Sequence, residues 1–480
     1  MYANTDPIII RARRKASSLA DFFSICLAML KRFSMADKTF FHGKLFNLLR
    51  KWVLMILTKT PEEAKEMLVS KVIGGETCRS RFGDYRLSKP TMVVVEEPTS
   101  FGFEFDYDVC GEKYSERLSR CVESAAEKLR KSPHTRRASI PLWYPKDHLC
   151  RNPAAITEIS FIFHEKLHLT AFLRSMECLS YFEHNFDFLV EALETICRKT
   201  GMEEGSIGML IAVPHFYERD VERALSYSGK LRETYGYHEL GTHLVEDYIS
   251  SAWHSALETI YTNGKKKRTE WGDIFEGQKE SLFVHRLFLE VEKPEENKLH
   301  DKAPFTEKYG IEYAHDYIMH AAKLDGEVRR SILKEGEEYT YAERARYCDR
   351  DDVKVDQLYK VIEKLKEDSC RRDCYVGISR PWDLLSDEPP CLRGYQFSKY
   401  GDELLGTFYM RSNDAYGAMH ANMYAFALLT KYVAELTGFK SYRYNHFALD
   451  AHIYAEFFDA VREILYPESP SYLDKVSGKG

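Results

Sequence analysis

A cysteine and an arginine that follows it by twenty residues are the side chains of this sequence best suited to nucleophilic chemistry. Cys391 comes directly after two prolines, and Arg411 opens an Arg-Ser-Asn-Asp stretch. A thiol with an ordinary pKa of about 8.5 is only partly ionised at neutral pH, so a nearby positive charge is needed to favour the thiolate. The sequence therefore predicts a Cys391 thiolate, favoured by Arg411, that adds covalently to a substrate.

Three further motifs surround this pair at defined spacings. Residues 389–397 read Pro-Pro-Cys-Leu-Arg-Gly-Tyr-Gln-Phe, Asn422 follows Arg411 by eleven residues, and residues 450–454 read Asp-Ala-His-Ile-Tyr. Together they resemble the thymidylate synthase and pyrimidine hydroxymethylase family. In that family a Pro-Cys nucleophile is followed by Arg-Ser-x-Asp, an asparagine and Asp-x-His-x-Tyr. The joint spacing carries the resemblance, because each motif alone is weak.

The resemblance implies a role for each of these residues. Its catalytic residues are Cys391, Arg411 and, as the acidic residue that relays protons to the base, Asp316. Its substrate-binding residues hold the phosphate, the sugar and the base: Arg268, Ser412, Asn422, His452, Tyr454, Gln396, Arg136 and Arg137. Asp414 is expected to bind the cosubstrate, and no metal is expected. An asparagine at 422 offers both an amide donor and a carbonyl acceptor, which suits uracil.

The activity implied is the reductive methylation of dUMP to dTMP. Thiolate addition at carbon 6 of the pyrimidine makes carbon 5 nucleophilic, and a methylene-tetrahydropterin supplies both the carbon and the reducing equivalents. The sequence continues for 26 residues after Tyr454, which resembles the shorter archaeal members of the family. The cosubstrate is therefore expected to be methylene-tetrahydrofolate or methylene-tetrahydromethanopterin.

Two alternatives to this activity stay open. Residues 341–346 read Tyr-Ala-Glu-Arg-Ala-Arg where the family has Tyr-Gly-x-x-Trp-Arg, so Ala345 takes the place of a tryptophan. Water would reach the intermediate more easily there, which predicts a dUMP or dCMP hydroxymethylase. The other alternative is a non-catalytic nucleotide-binding regulator, and an intact Cys391 argues against it.

An internal repeat organises the chain. Several identical pairs share an offset of 237 residues: Arg174 with Arg411, Asn185 with Asn422, and His215 with His452. A double arginine also recurs, at residues 136–137 and 371–372. At the position of Cys391 the first copy has Ala154, so this copy is expected to be degenerate and non-catalytic.

The repeat predicts two tandem domains with the same mixed α/β (α+β) architecture. Each reads as a helix, a double arginine, short strands, a strand ending in Arg-Ser, a long helix closed by Thr-Gly, and another strand. The expected organisation is a helical extension (1–60), a degenerate thymidylate-synthase-like domain (61–240) and a catalytic one (241–480). The last two are called the first and second half below.

Members of the family are twofold dimers in which each subunit lends a double arginine to its neighbour. A tandem chain is expected to reproduce this arrangement as an intrachain pseudo-dimer that works as a monomer. Arg136 and Arg137 of the first half would complete the Cys391 site, and Arg371 and Arg372 would face the degenerate site.

Composition limits the remaining classes of function. The 480 residues are 44% hydrophobic and 30% charged with a net charge of -6, which predicts packed cores and no general attraction to nucleic acid. No apolar run reaches about 18 residues, so no membrane span is expected. The 11 cysteines include no Cys-x-x-Cys pair, which favours reduced thiols in a cytoplasmic protein.

Overall fold

The computed structural model describes residues 55–81, 83–103, 107–231, 237–268, 280–333 and 337–467. The predicted helical extension lies outside the described residues except at its end. There Ile56–Thr58 is a strand that pairs in parallel with Thr91–Val95. The prediction is corrected for this segment, because Ile56 is buried against the first sheet and does not belong to a helix.

The described part of the first half contains ten strands and four α-helices. The strands are β1 (Ile56–Thr58), β2 (Glu76–Cys78), β3 (Tyr85–Leu87), β4 (Thr91–Val95), β5 (Ser139–Pro141), β6 (Ile156–His164), β7 (Lys166–Leu173), β8 (Met176–Glu177), β9 (Glu204–Ile211) and β10 (Pro214–Tyr217). The helices are α1 (Pro61–Ile73), α2 (Tyr114–Lys131), α3 (Phe182–Thr200) and α4 (Val221–Leu225).

The described part of the second half contains eight strands and seven α-helices. The strands are β11 (Thr242–Glu246), β12 (Lys265–Arg268), β13 (Glu280–Val291), β14 (Tyr375–Gly377), β15 (Leu392–Tyr400), β16 (Glu403–Met410), β17 (Asn413–Asp414) and β18 (Ser441–Tyr454). The helices are α5 (Ile249–Asn263), α6 (Glu307–Glu312), α7 (Gly326–Ile332), α8 (Tyr341–Arg346), α9 (Gln357–Glu367), α10 (Met419–Thr437) and α11 (Phe458–Leu465). A π-helix, Tyr313–Met319, follows α6. None of the helices in the described residues is long and apolar enough to cross a membrane.

The two halves repeat one sheet topology. The strand order is β1-β4-β9-β7-β6-β5 in the first half and β11-β13-β18-β16-β15-β14 in the second. Along both orders the pairing runs parallel, antiparallel, parallel, antiparallel and antiparallel. The first half also has a separate sheet, β2-β3-β10-β8, where the second half continues β13 and β18 as long strands. The predicted mixed α/β architecture is confirmed.

The long helix of each half ends where the sequence predicts. The long helix predicted in the second half is α10, and Gly438 follows its final Thr437 in the left-handed region at φ 84°. Gly201 ends α3 in the same way at φ 74°. Glycine is favoured at both ends because a Cβ is strained at such angles.

The two halves pack against each other across an aromatic seam. Phe172 of the first half stacks on Tyr409 of the second with ring centroids 5.5 Å apart. Trp143 of the first half packs edge-on against Tyr375 of the second at 5.2 Å. The apolar core of the first half therefore continues into the second.

Arg286 ties β13 to the first half through a fully buried guanidinium. It donates to Thr170 Oγ1 at 2.7 Å, to Ser206 Oγ at 3.0 Å and to the Leu169 carbonyl at 3.0 Å. Gly208 leaves room for this side chain, since a Cβ there would lie 2.4 Å from Arg286 Nε. Burial lowers the pKa of Arg286 to about 10, so the group stays charged at neutral pH.

Two disulfides contradict the prediction of reduced thiols. Cys110 pairs with Cys150 within the first half, and Cys78 pairs with Cys370 across the halves. The partners of the second pair are 292 residues apart, so no spacing motif in the sequence reveals them. The remaining described cysteines are free: Cys121, Cys178, Cys197, Cys348, Cys374 and Cys391.

The Cys78–Cys370 disulfide is expected to stabilise the contact between the halves. Cys370→Ser should lower the free energy of unfolding by about 2–4 kcal/mol, because the cross-link restricts the unfolded chain. Urea denaturation followed by tryptophan fluorescence measures this change. Cys348→Ser, at a free and partly exposed cysteine, is the control. Equal unfolding midpoints for Cys370→Ser and the oxidised parent would contradict the prediction.

Candidate active site

One cavity brings together residues from both halves. Its volume is about 220 Å³. The sequence predicts seven of the residues that line it: Arg136, Arg137, Arg268, Cys391, Arg411, Ser412 and Tyr454. Six further lining residues are not predicted from the sequence: Ser132, His134, Thr135, Lys267, Ser281 and Glu388.

Arg411 holds the loop that carries the cysteine. Its backbone N–H donates to the Cys391 carbonyl at 2.9 Å. Its guanidinium donates to the carbonyls of Pro389 at 2.6 Å and Pro390 at 2.9 Å, and to the carbonyl of Arg136 at 2.7 Å. Arg411 thus positions the thiol and also orders the arginine segment that the first half contributes.

Arg136 reaches from the first half to the end of β18. Its Nη1 lies 2.5 Å from His452 Nε2, and its Nη2 donates to the Tyr454 hydroxyl at 2.9 Å. Burial acts to lower the pKa of Arg136, but Asp450, Tyr454 and, more weakly, the Cys391 thiol outweigh it and raise the pKa. The guanidinium of Arg136 therefore interacts electrostatically with Cys391, the predicted nucleophile. The predicted residue His452 contacts this same guanidinium.

Asp450 is a buried carboxylate that organises the same corner of the site. Lys267 Nζ donates to its Oδ2 at 3.0 Å, His452 Nδ1 lies 2.9 Å from its Oδ1, and Arg136 Nη1 lies 3.8 Å away. Burial acts to raise the pKa of Asp450, but Lys267, His452 and Arg136 hold it well below its usual range. The carboxylate is therefore ionised at neutral pH and fixes the position of Lys267.

The residues missed by sequence reasoning follow two patterns. Lys267 is buried between the exposed residues Lys266 and Arg268 of β12, and this period of two along a strand is a signal that could have identified it. Residues 132–135 directly precede Arg136 in the chain, so they enter the cavity with it. Only their closeness to Arg136 in the sequence could have identified them as residues of the site.

Five predicted site residues do not line the cavity: Gln396, Asp316, Asn422, Asp414 and His452. Gln396 is fully buried in β15, where its Nε2 donates to the Phe397 carbonyl at 2.8 Å. Asp316 lies on the π-helix with a side chain 40% exposed, and it contacts His315 at 2.6 Å. Alternation along β15 and the helical phase around residue 316 turn these side chains elsewhere, which spacing between motifs cannot reveal.

Asn422 and Asp414 are not part of the wall of the cavity. Asn422 is 6% exposed, and its Nδ2 donates to the Tyr313 hydroxyl at 2.9 Å. Asp414 accepts from the N–H groups of Tyr416 at 3.1 Å and Gly417 at 3.0 Å. Asp414 therefore shapes the turn that leads into α10.

Tyrosines from α8 and the π-helix pack beside the cysteine. The Tyr341 hydroxyl accepts from the Leu392 N–H at 3.3 Å. The rings of Tyr341 and Tyr317 are 5.1 Å apart, and those of Tyr317 and Tyr313 are 5.2 Å apart. Burial raises the pKa of Tyr341, and the neighbouring Cys391 adds to the effect. An apolar row of rings thus connects the thiol to Tyr313.

Comparison with known proteins shows the family of the chain. Residues 311–473 match the family described as thymidylate synthase. A candidate thymidylate synthase of Methanosarcina mazei is 30% identical over 228 residues, which cover 47% of this chain and 96% of that protein. The chain belongs to the thymidylate synthase family. A candidate thymidylate synthase of Methanococcoides burtonii is also 30% identical, over 45% of this chain and 91% of that protein.

Thymidylate synthase A of Bacillus subtilis, a thermostable protein of known structure, is 18% identical to the chain. The match has a TM-score of 0.39 and covers 47% of this chain and 86% of that chain. Members of the thymidylate synthase family are methyltransferase-type enzymes that bind dUMP and a cosubstrate of the methylene-tetrahydrofolate type. The chain is therefore an enzyme of the methyltransferase type.

The first half of this thymidylate synthase homologue contains a counterpart of the site. Arg174 repeats the contacts of Arg411: it donates to the carbonyls of Pro153 at 2.8 Å and Ala154 at 2.6 Å. It also donates across the halves to the carbonyl of Arg372 at 2.8 Å. The contacts of Arg174 and Arg411 are 236 residues apart on this loop, which corrects the predicted counterpart of the nucleophile. The Arg174 N–H donates to the Ala155 carbonyl as the Arg411 N–H donates to that of Cys391. Ala155, and not Ala154, therefore occupies the position of the nucleophile, and this counterpart has no thiol there.

The reciprocal contact of Arg174 with Arg372 corrects the predicted pairing of the double arginines. Arg372 is the counterpart of Arg136, and the counterpart of Arg137 is Asp373 and not a second arginine. The strands that follow, β5 and β14, confirm the register, since they begin 236 residues apart (375 minus 139). Asp373 pairs with Arg371 at 2.6 Å. The degenerate site therefore has a carboxylate where the Cys391 site has a guanidinium.

Larger and cross-linked residues fill the counterpart of the cavity. In the register of the sheets, Tyr85 occupies the position of Ser281, and Cys78 occupies the position of Lys267. The guanidinium of Arg372 lies 4.4 Å from the centre of the Tyr85 ring. Space that belongs to the cavity in the second half is thus occupied by packed side chains in the first.

A cysteine placed in the first half is therefore expected to be unreactive. In Ala155→Cys, native-state alkylation by iodoacetamide should modify Cys391 and Cys348 as in the parent and residue 155 far more slowly, because packed and cross-linked side chains fill the counterpart of the cavity. Peptide mass spectrometry identifies the modified positions, and alkylation after unfolding is the control that the new thiol is competent. Modification of residue 155 in the native protein at the rate of Cys391 would contradict the closed counterpart.

Proposed function

We propose that the protein is a thymidylate synthase that converts dUMP to dTMP with a methylene-tetrahydropterin cosubstrate. The observation that supports this most strongly is the composition of one cavity. A free, partly exposed cysteine lies there with four arginines and a tyrosine hydroxyl. A thiol nucleophile, a site for an anion and a sugar contact are the three elements that a reaction on a nucleotide base requires.

The cavity is suited to a nucleoside monophosphate. Arg136, Arg137, Arg268 and Arg411 line it, and planar guanidinium groups form bidentate contacts with phosphate oxygens. The cations outnumber the two charges of one phosphate group, so a dianion is well compensated. Tyr454 lies in the same wall, with a hydroxyl available to the sugar.

Cys391 is proposed to attack carbon 6 of the uracil ring. The new carbon–sulfur bond transfers an electron pair to carbon 5, which then forms a bond to the incoming methylene carbon. The reduced pterin supplies this carbon and afterwards a hydride. Carbon 5 loses its proton as the bond between the transferred carbon and the pterin nitrogen breaks, which leaves an exocyclic methylene on the base. Hydride from the pterin then adds to this methylene as the thiolate departs, which restores Cys391 and releases dTMP and a dihydropterin.

The surroundings of Ala345 favour methylation over hydroxymethylation. The alanine that replaces the family tryptophan is fully buried within the apolar core of the second half. It therefore opens no path for water to the reacting carbon, and Tyr341 of the same helix lies between this core and the thiol. A dUMP or dCMP hydroxymethylase would need such a path, since water ends its reaction.

We propose further that the chain acts as an intrachain pseudo-dimer of a first domain (61–240, extended by β1) and a second domain (241–480). The contacts of Arg136 with His452 and Tyr454, and the reciprocal contact of Arg174 with Arg372, support this arrangement. One chain would then contain one catalytic centre and would need no second copy.

Product analysis tests the proposed reaction. The purified chain, given dUMP and methylene-tetrahydrofolate or methylene-tetrahydromethanopterin, should form a product with the mass of dTMP. Cys391→Ser should abolish the product, and Cys348→Ser should not, since only Cys391 lines the cavity. A product with the mass of the hydroxymethyl nucleotide would favour the alternative enzyme. Binding of dUMP without any product would favour a regulator.

The contribution of the first half to the site is tested by two arginines in equivalent positions. Arg136→Ala should raise KM for dUMP by about 10-fold to 100-fold, because a hydrogen bond to a charged group contributes about 1.5–3 kcal/mol. Arg372→Ala, at the counterpart position, should leave KM unchanged. Steady-state kinetics with both variants measure the difference. Equal effects of the two substitutions would argue against an active site at Cys391 that depends on Arg136.

A further inference from the structure

Two histidines and an aspartate lie together on the exposed side of the π-helix that follows α6. His315 and Asp316 belong to the π-helix, and His320 is the first residue after it. One ring nitrogen of each histidine and one carboxylate oxygen lie within 4.8 Å of one another. The ring centroids of the two histidines are 5.7 Å apart, and His315 Nδ1 lies 2.6 Å from Asp316 Oδ1. These three residues are called the His-Asp-His cluster below.

The π-helical backbone explains why the two histidines meet. They are five residues apart in the sequence. In an α-helix, with 3.6 residues per turn, side chains five residues apart are rotated by about 140° from each other. In a π-helix the backbone hydrogen bonds connect residues i and i+5, so such side chains lie on nearly the same side. An α-helical course through this segment would therefore separate the two rings.

The three side chains of the cluster are accessible to a ligand. The His315 side chain is 70% exposed, that of Asp316 is 40% exposed, and His320 is partly buried. Within the part of the chain that the structure describes, no lysine or arginine nitrogen lies within 4.0 Å of the Asp316 carboxylate. The negative charge of Asp316 is therefore available to a bound cation.

Two imidazoles and one carboxylate form a ligand set that suits zinc and similar divalent transition metals. Magnesium and calcium prefer oxygen ligands, so the set does not suit them. Three atoms 4.8 Å apart lie about 2.8 Å from a common centre, whereas bonds to zinc measure about 2.0–2.2 Å. Each side chain therefore has to move by less than about 1 Å to bind one ion, and water would complete a tetrahedral site.

The opposite side of the π-helix contacts the surroundings of Cys391. Tyr317 is buried there with its ring 5.1 Å from that of Tyr341, and the Tyr313 hydroxyl accepts from Asn422 Nδ2 at 2.9 Å. A π-helix is rare and occurs mostly as a single turn, frequently at functional sites. An ion that joins the two ends of this turn from the exposed side would hold the segment that carries both tyrosines.

We propose that His315, Asp316 and His320 form a binding site for a divalent transition-metal ion, with zinc as the best match, and that the bound ion stabilises the π-helix. Neither the family resemblance nor the proposed reaction requires a metal, so the inference goes beyond the proposed function and does not depend on it. The ion lies at the surface of the second half and takes no part in bond formation at Cys391.

Calorimetric titration of the full chain with zinc chloride tests the site, on protein purified without a histidine tag. His315→Ala and His320→Ala should each lose one bound ion or weaken its binding by about tenfold or more, because each removes a ligand. Asp316→Asn keeps the size of the side chain and should weaken binding in the same direction. The free cysteines contribute equally to the parent and to these variants.

His254→Ala is the matched control. The rings of His254 and His300 are also 5.7 Å apart, but the described residues add no third ligand to this pair. His254→Ala should therefore bind zinc as the parent does. His315→Ala replaces a largely exposed side chain and is expected to fold like the parent, which far-ultraviolet circular dichroism checks. Magnesium chloride should not displace the zinc.

Amide hydrogen exchange tests the effect of the ion on the backbone. Zinc should slow the exchange of residues 313–319 in the parent and leave it unchanged in His320→Ala. Equal zinc stoichiometry and affinity in the parent, His315→Ala and His320→Ala would overturn the proposed site, as would a parent that binds no zinc. Binding that depends on both histidines without slower exchange would overturn the stabilising role.

Discussion

The packing of the two sheets is the constraint on which the Cys391 site depends, because the first half carries the arginines that complete it. Arg136 reaches the end of β18 only while the sheets keep their relative position. Buried charges hold that position: Arg393 pairs with Glu158 across the seam at 2.8 Å, with both side chains at most 1% exposed, and Arg286 enters the first half from β13. Loss of one partner would leave a buried charge unpaired, which costs several kcal/mol, so these contacts resist sliding of one sheet over the other.

The equivalent positions of the two halves have different physical roles. Where Lys267 and Ser281 face a cavity in the second half, Cys78 and Tyr85 close the space in the first, by a disulfide and by packing on Arg372. Apolar residues likewise replace a row of buried polar residues that ends at Asn422 in the second half. Where the space is filled, buried polar groups are not needed, and apolar packing in their place avoids the cost of satisfying them. The first half thereby becomes a firm support for the segment that carries Arg136.

The second half shows the opposite pattern of buried residues. Buried polar residues are retained there, and Tyr444, His446, Asn413 and Asn422 are hydrogen-bonded one to the next. Such a row is sensitive to any single substitution, because a buried group that loses its partner cannot turn to water.

The sequence was sufficient to predict the mixed architecture, the long helices with their terminal glycines and most of the cavity, including Cys391, Arg411 and Tyr454. These features depend on periodicity and on motif spacing, which are local properties of the chain. The inter-half disulfide, the burial of Gln396, the true counterpart of Arg136 and the polar row from Tyr444 required the three-dimensional structure. They depend on which strand faces which and in what register. A shift of one residue in that register exchanges an arginine for Asp373, and such shifts leave no mark on motif spacing.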